Sequence, residues 1–165
     1  MTTGRKVLLT ATMATVIGMV VITPIALHAA TTGPCARHQL HVRSNGTQGA
    51  AGTIYGAWVF TNVSTDPCTM SGYPSLALYG KGGRPIPTTV KQDLQPGPTD
   101  VTLRSGGSAT FHTTYNEVAE PRCPTSFVMQ VAPAGSTKAL FIPATLVPCR
   151  GIVHISAVQA GIHRA

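Results

Sequence analysis

The chain has 165 residues and a formal charge of +7, yet only 10% of its residues are charged and 5% are aromatic. With 17 Gly and 13 Pro, that composition argues against long surface helices, which would bring far more Glu and Lys. The basic residues are scattered along the chain and are not interleaved with aromatics, which argues against a nucleic-acid site.

Arg5 and Lys6 open the chain, an apolar run follows from Val7 to Ile22, Pro24 breaks it, and small residues follow through Ala30. That order predicts a secretory signal peptide over residues 1–30. The competing reading is an uncleaved membrane anchor, since Val7 to Ala30 is long enough to span a bilayer. Either reading places residues 31–165 outside the cytoplasmic membrane, secreted or in the cell envelope. Arg5 and Lys6 fall in the leader, so the remainder carries about +5. That charge favours weak attraction to anionic envelope polymers.

The rest of the chain has the length of one domain. Its dominant period is two, the signature of strands. Leu40 and Val42 alternate with polar neighbours, and Ser44 to Gly52 reads as a Gly-rich turn. Thr53 to Asn62 is the strongest strand, with Tyr55, Ala57 and Val59 on one side and Ile54, Trp58 and Phe60 on the other. Being apolar on both faces, it belongs in the middle of a sheet. Leu76 and Leu78 mark another strand, ended by Gly80-Lys81-Gly82-Gly83. Pro85 to Val90 reads as an edge, because its prolines cannot donate to a ladder.

Val101 and Leu103 lead through Ser105-Gly106-Gly107-Ser108 into Ala109, Phe111, Thr113 and Tyr115, which alternate with polar residues. Asn116 to Pro124 is a loop holding Glu117 and Glu120. Phe127, Met129 and Val131 alternate again, and Ala139 to Ile142 and Ile152 to Val158 supply the last strands. The residues after Val158 are expected to be loose. Eight or nine short strands predict an all-β, two-sheet sandwich of immunoglobulin-like type, with a β-barrel as the alternative.

Four cysteines, Cys35, Cys68, Cys123 and Cys149, allow three connectivities. Pairing Cys35 with Cys68 and Cys123 with Cys149 is favoured, because each pair brackets one run of strands. An even count suits an oxidising compartment. The spacings lack the short ligand pairs of a zinc site.

The residues that carry chemistry elsewhere read here as framework. Asn62 is placed to cap the end of the long strand by bonding to turn amides. Gly72-Tyr73-Pro74 is a turn in which the Tyr73 ring packs and its hydroxyl bonds to backbone, and Gly106-Gly107 allows a tight reversal. His38 and His41, three apart on a strand, face opposite ways and do not share a metal. A long-range metal site from His112 and His154 has no spacing to support it. Ser108 lacks a nucleophile-elbow pattern, and Glu117 and Glu120 are the closest approach to a carboxylate pair. No enzyme, cofactor or metal is expected.

One series of residues resembles a known family. It comprises Cys35, the strand ending in Asn62-Val63-Ser64, Cys68-Thr69-Met70-Ser71-Gly72-Tyr73-Pro74, and Leu103-Arg104-Ser105-Gly106-Gly107-Ser108-Ala109. Cys123, Val131-Ala132-Pro133-Ala134-Gly135 and Cys149 complete it. The chain is similar to the actinobacterial family catalogued as domain of unknown function 4232, from about Cys35 to Val158. Cys-Thr-x-x-Gly-Tyr-Pro is the most specific piece. Met70 stands where Leu is usual, and Arg104-Ser105 replace a common x-Pro. The resemblance implies short secreted or anchored chains and no particular activity.

Two function classes follow. The first is a non-enzymatic binding or adhesion module of the cell envelope, whose partner is an envelope polymer or an extracellular protein. Its contacts would lie on the loops Ser44 to Gly52, Thr88 to Asp100 and Tyr115 to Cys123. The second is a secreted inhibitor or small-ligand carrier. Exposed Tyr55, Tyr79 or Tyr115 around a concave surface would favour the carrier, and a rigid convex loop held by Cys123 the inhibitor. A purely structural envelope protein is the remaining alternative.

Overall fold

The computed structural model describes residues 32–117 and 123–165. The leader expected over residues 1–30, and Glu120 with its neighbours, lie outside the described residues. Thr31–Ala165 forms one compact unit, and among its described residues no helix is long and apolar enough to cross a membrane.

The described residues form an all-β sandwich and no closed barrel. The larger sheet is ordered β1 (Leu40–Ala50), β2 (Thr53–Asn62), β8 (Ser108–Asn116), β11 (Ile152–Ile155) and β6 (Thr89–Gln92), and β12 (Gln159–Ala160) also pairs with β8. The opposing sheet is ordered β10 (Leu140–Pro143), β9 (Val128–Ala132), β4 (Ser75–Tyr79) and β5 (Pro85–Ile86). β3 (Cys68–Ser71) and β7 (Asp100–Leu103) form a third, two-stranded ribbon.

Inner faces from all three pack one core. Phe60 and Phe111 are fully buried with ring centroids 5.3 Å apart. Leu78, Met129, Val131, Leu103, Val153 and Ile155 surround them in the same cluster. Burying each such side chain contributes about 1.5–3 kcal/mol. β2 is central, paired with β1 on one side and β8 on the other. Trp58, buried, donates its indole N–H to Thr113 Oγ1 at 2.9 Å. Gly56 makes room for that bond, since a Cβ there would stand 2.9 Å from the same oxygen.

Twelve strands stand among the described residues where eight or nine are expected. β3 carries only two buried residues in four, too short a run to show its period. The expected Pro85 edge divides, because Pro87 separates β5 on one sheet from β6 on the other, and both are edges. The last expected strand, Ile152 to Val158, ends at Ile155 as β11, and β12 lies beyond it.

The Ser44–Gly52 region is not a turn. β1 runs through it to Ala50, with a register shift between Ser44 and Thr47. The reversal itself is confined to Ala51 and Gly52, at φ 49 and 76, since a two-residue hairpin of this hand needs positive φ at both positions. This end of β1 is exposed on both faces, so no apolar alternation marks it. Phe127, expected in line with Met129 and Val131, instead precedes β9 and is 52% exposed.

The segment after Val158 is tied down rather than loose. Beyond β12, Thr110 Oγ1 donates to Gly161 O and accepts from His163 N. Asn45 Nδ2 donates to His163 O at 2.8 Å, and His112 Nε2 lies 3.1 Å from Arg164 O. A segment bonded to both β8 and β1 crosses β2 between them. Ala57 and Val59 face that side and are 0% exposed. Short polar contacts hold this strap, which leaves no apolar pattern to read.

Candidate binding cleft and the frame that holds it

The cysteine bonds join Cys35 to Cys68 and Cys123 to Cys149, with Cα–Cα distances of 4.7 and 5.0 Å. The first pins the start of the domain to the β3–β7 ribbon. The second anchors the connection into β11. Such bonds suit an oxidising compartment.

Asn62, at the end of β2, is fully buried and fully engaged. Its side-chain amide donates to Asp66 O at 2.8 Å and to Leu103 O at 3.0 Å. Its Oδ1 accepts from Ser64 N and Ser64 Oγ. Its backbone N–H donates to Gly107 O, and its carbonyl accepts from Gly106 N. Gly106 sits at φ 73, and a Cβ on Gly107 would meet Arg104 O at 2.9 Å. Asn62, Gly106 and Gly107 therefore form one knot joining β2 to the β7–β8 turn. Asn62 bonds the turn amide of Ser64 and also ties the strand end to β7.

Gly72-Tyr73-Pro74 is a second frame element. Gly72 takes φ 87 and accepts a backbone bond from Val158 N, and Pro74 is buried. The Tyr73 hydroxyl donates to Asp93 O at 2.8 Å. Asp93 N also donates to Ile155 O at 2.9 Å. Two hydrogen bonds to its backbone atoms thus fix Asp93 just past the end of β6.

Asp93 stands at the edge of a cleft of about 410 Å³ on the outer side of the larger sheet. Strand register assembles its floor. Tyr55 pairs with Thr114, Thr114 with His154, and His154 with Lys91, so one cross-strand row spans β2, β8, β11 and β6. Asn116 and the Cys149-Arg150 turn close the sides. The terminal strap covers the neighbouring stretch of this face but leaves the row open.

His154 Nδ1 lies 3.1 Å from Asp93 Oδ1. A carboxylate only accepts, so Nδ1 carries the proton of that bond, and Nε2 has no protein partner among the described residues. The pair is 44% and 39% exposed and contributes about 0–1 kcal/mol to stability. Lys91 and Arg150 are exposed and make no ion pair among the described residues. Tyr55 is 44% exposed, whereas Tyr115 is 6% exposed and turns its ring into the core. Burial pushes the Tyr115 phenol above its ordinary value; the backbone at Val147 acts against this and the Glu117 charge adds to it.

The turn that carries Arg150 has unusual backbone. Arg150 takes φ 72, in the left-handed region, and Gly151 follows at φ 65. A Cβ on Gly151 would stand 2.7 Å from Pro87 O, so glycine is required there. At Arg150 a side chain is retained where glycine would be less strained by about 1–2 kcal/mol.

Of the other residues singled out in the sequence, His38 and His41 are exposed, and His112 and His163 hold the strap. Ser108 opens β8 with its hydroxyl 3.0 Å from that of Thr61. Among the described residues no three His, Cys, Asp or Glu side chains gather as a metal site. Tyr79 lies away from the cleft, on the opposing sheet, where its hydroxyl donates to Gln130 Oε1 at 2.6 Å and its ring meets Phe141. Lys91 and Asp93 fall within the loop expected from Thr88 to Asp100, part of which is strand β6. The sequence reading missed the Asp93–His154 pair and Arg150, because register and a distant turn bring them together and no local motif does. A second, more open groove carries Arg37, His38 and Lys138 beside the Cys35 bond.

A disulfide-bonded β-sandwich with an open polar cleft is the class of protein these observations define. Over residues 35–159 the chain matches the family described as Domain of unknown function (DUF4232), and it belongs to that family. No curated protein and no solved structure shows a significant match.

Proposed function

We propose that this domain is a non-enzymatic binding module that works outside the cytoplasmic membrane and holds a small ligand in the Tyr55–Arg150 cleft. The observation that carries this reading is the convergence of the Tyr55 ring, Lys91, Arg150 and His154 Nε2 on one concavity. None of these groups is engaged within the chain among the described residues. Clefts of about 300–1,000 Å³ with a few converging polar groups are the usual form of a small-ligand site. The two cysteine bonds favour an extracytoplasmic setting.

A hydrolytic reading would rest on Asp93 and His154 as an acid–base pair. Support for it stops at the pair, because no hydroxyl bonds to His154 among the described residues. The loop beyond Glu117 would carry an inhibitory role, and it lies outside the described residues.

Amide chemical shifts recorded during a screen of small polar and aromatic fragments test the proposal. Shifts gathered on Tyr55, Thr114, Asn116 and His154 are expected. Shifts confined to the outer side of β9 and β10, around Phe141, would move the binding role to that face. A screen in which no residue of the cleft responds would leave the purely structural alternative standing.

A further inference from the structure

We infer that the cleft is built for an anionic saccharide: a sugar ring bearing one carboxylate or phosphate. This inference rests on the cleft being a ligand site and adds the chemistry of what enters it.

The charge balance comes first. The cleft holds two fixed cations, Lys91 and Arg150, and one carboxylate, Asp93. Asp93 is already engaged with His154 at 3.1 Å, so among the described residues neither cation has an ion-pair partner. A guanidinium presents a planar fork that matches carboxylate or phosphate oxygens in pairs. Arg150 is held in that place by a buried half-cystine on one side and a glycine pressed against Pro87 on the other. Its left-handed backbone, φ 72, is costly for any residue with a Cβ. A strained residue whose side chain stands at the lip of a cleft points to a role for that side chain.

The second observation is the mixture on the floor. One aromatic ring, Tyr55, is exposed, and beside it lie Thr114, Asn116, His154 Nε2 and the second oxygen of Asp93. A sugar offers an apolar C–H face to one ring and several hydroxyls that donate and accept around its rim. The floor supplies the complement to each. A bare inorganic anion would leave Tyr55 and the hydroxyl partners unused. A neutral sugar would leave Lys91 and Arg150 unused.

The probes are glucuronate, glucose 6-phosphate, glucose and inorganic phosphate, each titrated into the protein while amide shifts are recorded. At least one of the two sugar acids is expected to bind ten times or more as tightly as glucose and as inorganic phosphate. The tighter of the two names the anion as carboxylate or phosphate. Arg150→Gly, which relieves the backbone, is expected to weaken that sugar acid at least tenfold. Arg150→Lys keeps the charge without the fork and is expected to lose a smaller factor. Arg37→Ala, in the other basic groove, is expected to change nothing.

Equal binding of glucose and the sugar acids would overturn the inference, as would inorganic phosphate binding as tightly as the sugar acids. In those cases shifts in the cleft would still uphold it as a ligand site. Silence of the cleft toward every probe would overturn the inference and leave the cleft as a ligand site to the fragment screen.

Discussion

The Asn62 knot and the Tyr55–Arg150 cleft are both built from polar side chains, and they treat those groups in opposite ways. At Asn62 each polar group finds a partner inside the chain, and the residue is fully buried. In the cleft, Lys91, Arg150 and His154 Nε2 point to an opening and have no ion-pair or hydrogen-bond partner among the described residues. A satisfied buried network makes a fold rigid and unique. Polar groups left unmatched in a concavity contribute little to the fold and are available to a ligand. The first region accounts for the frame and the second for what the frame displays. Tyr73 links them, since it belongs to the Gly-Tyr-Pro turn and fixes the backbone of Asp93.

Substitutions separate the two regions. The largest effect is expected from the frame. Cys35→Ser with Cys68→Ser opens a loop with a sequence separation of 33 and should cost about 3.5 kcal/mol in urea unfolding. Asn62→Ala should cost about 3 kcal/mol in the same assay, because it strands the carbonyls of Asp66 and Leu103. Neither change touches the cleft, so ligand-induced shifts there should survive wherever the variant folds. Tyr115→Phe should lose the Val147 backbone contact at every pH and act further in alkali. Burial holds the folded phenol above its ordinary value near 10. Above about pH 10 the unfolded chain therefore releases a proton that the folded chain keeps, and stability falls as pH rises. Removing the hydroxyl should flatten that limb of a pH–stability curve. The smallest effect on stability is expected at Tyr55→Ala, within about 0.5 kcal/mol, although binding should suffer. If Tyr55 proved as costly as Asn62, the division between frame and cleft would collapse.

Much of the frame was legible in the sequence because its signals are local. The alternation of Ala109, Phe111, Thr113 and Tyr115 shows which side of β8 is buried, and the two-faced apolar run from Thr53 places β2 inside a sheet. Gly72, Gly106 and Asn62 announce themselves by backbone chemistry that few other residues supply. The terminal strap was illegible, because Thr110, Asn45 and His112 hold it through bonds to backbone atoms far away in sequence. The cleft was legible only in part. Tyr55 stood out as an outward aromatic, but Lys91, Asp93, Thr114, Arg150 and His154 come from three separate segments. Their meeting depends on β6 pairing in parallel with β11, which no spacing encodes. Arg150 gave no sign at all, since its left-handed backbone is a property of the folded turn.

Arg150→Gly tests the central claim most directly, with unfolding stability and sugar-acid binding measured on the same preparation. Relief of the left-handed backbone predicts a protein more stable by about 0.5–1 kcal/mol that binds the sugar acid at least tenfold more weakly. A less stable variant would show that Arg150 serves the frame, and one that binds as the parent does would show that Arg150 takes no part in binding; either would contradict the account of the cleft.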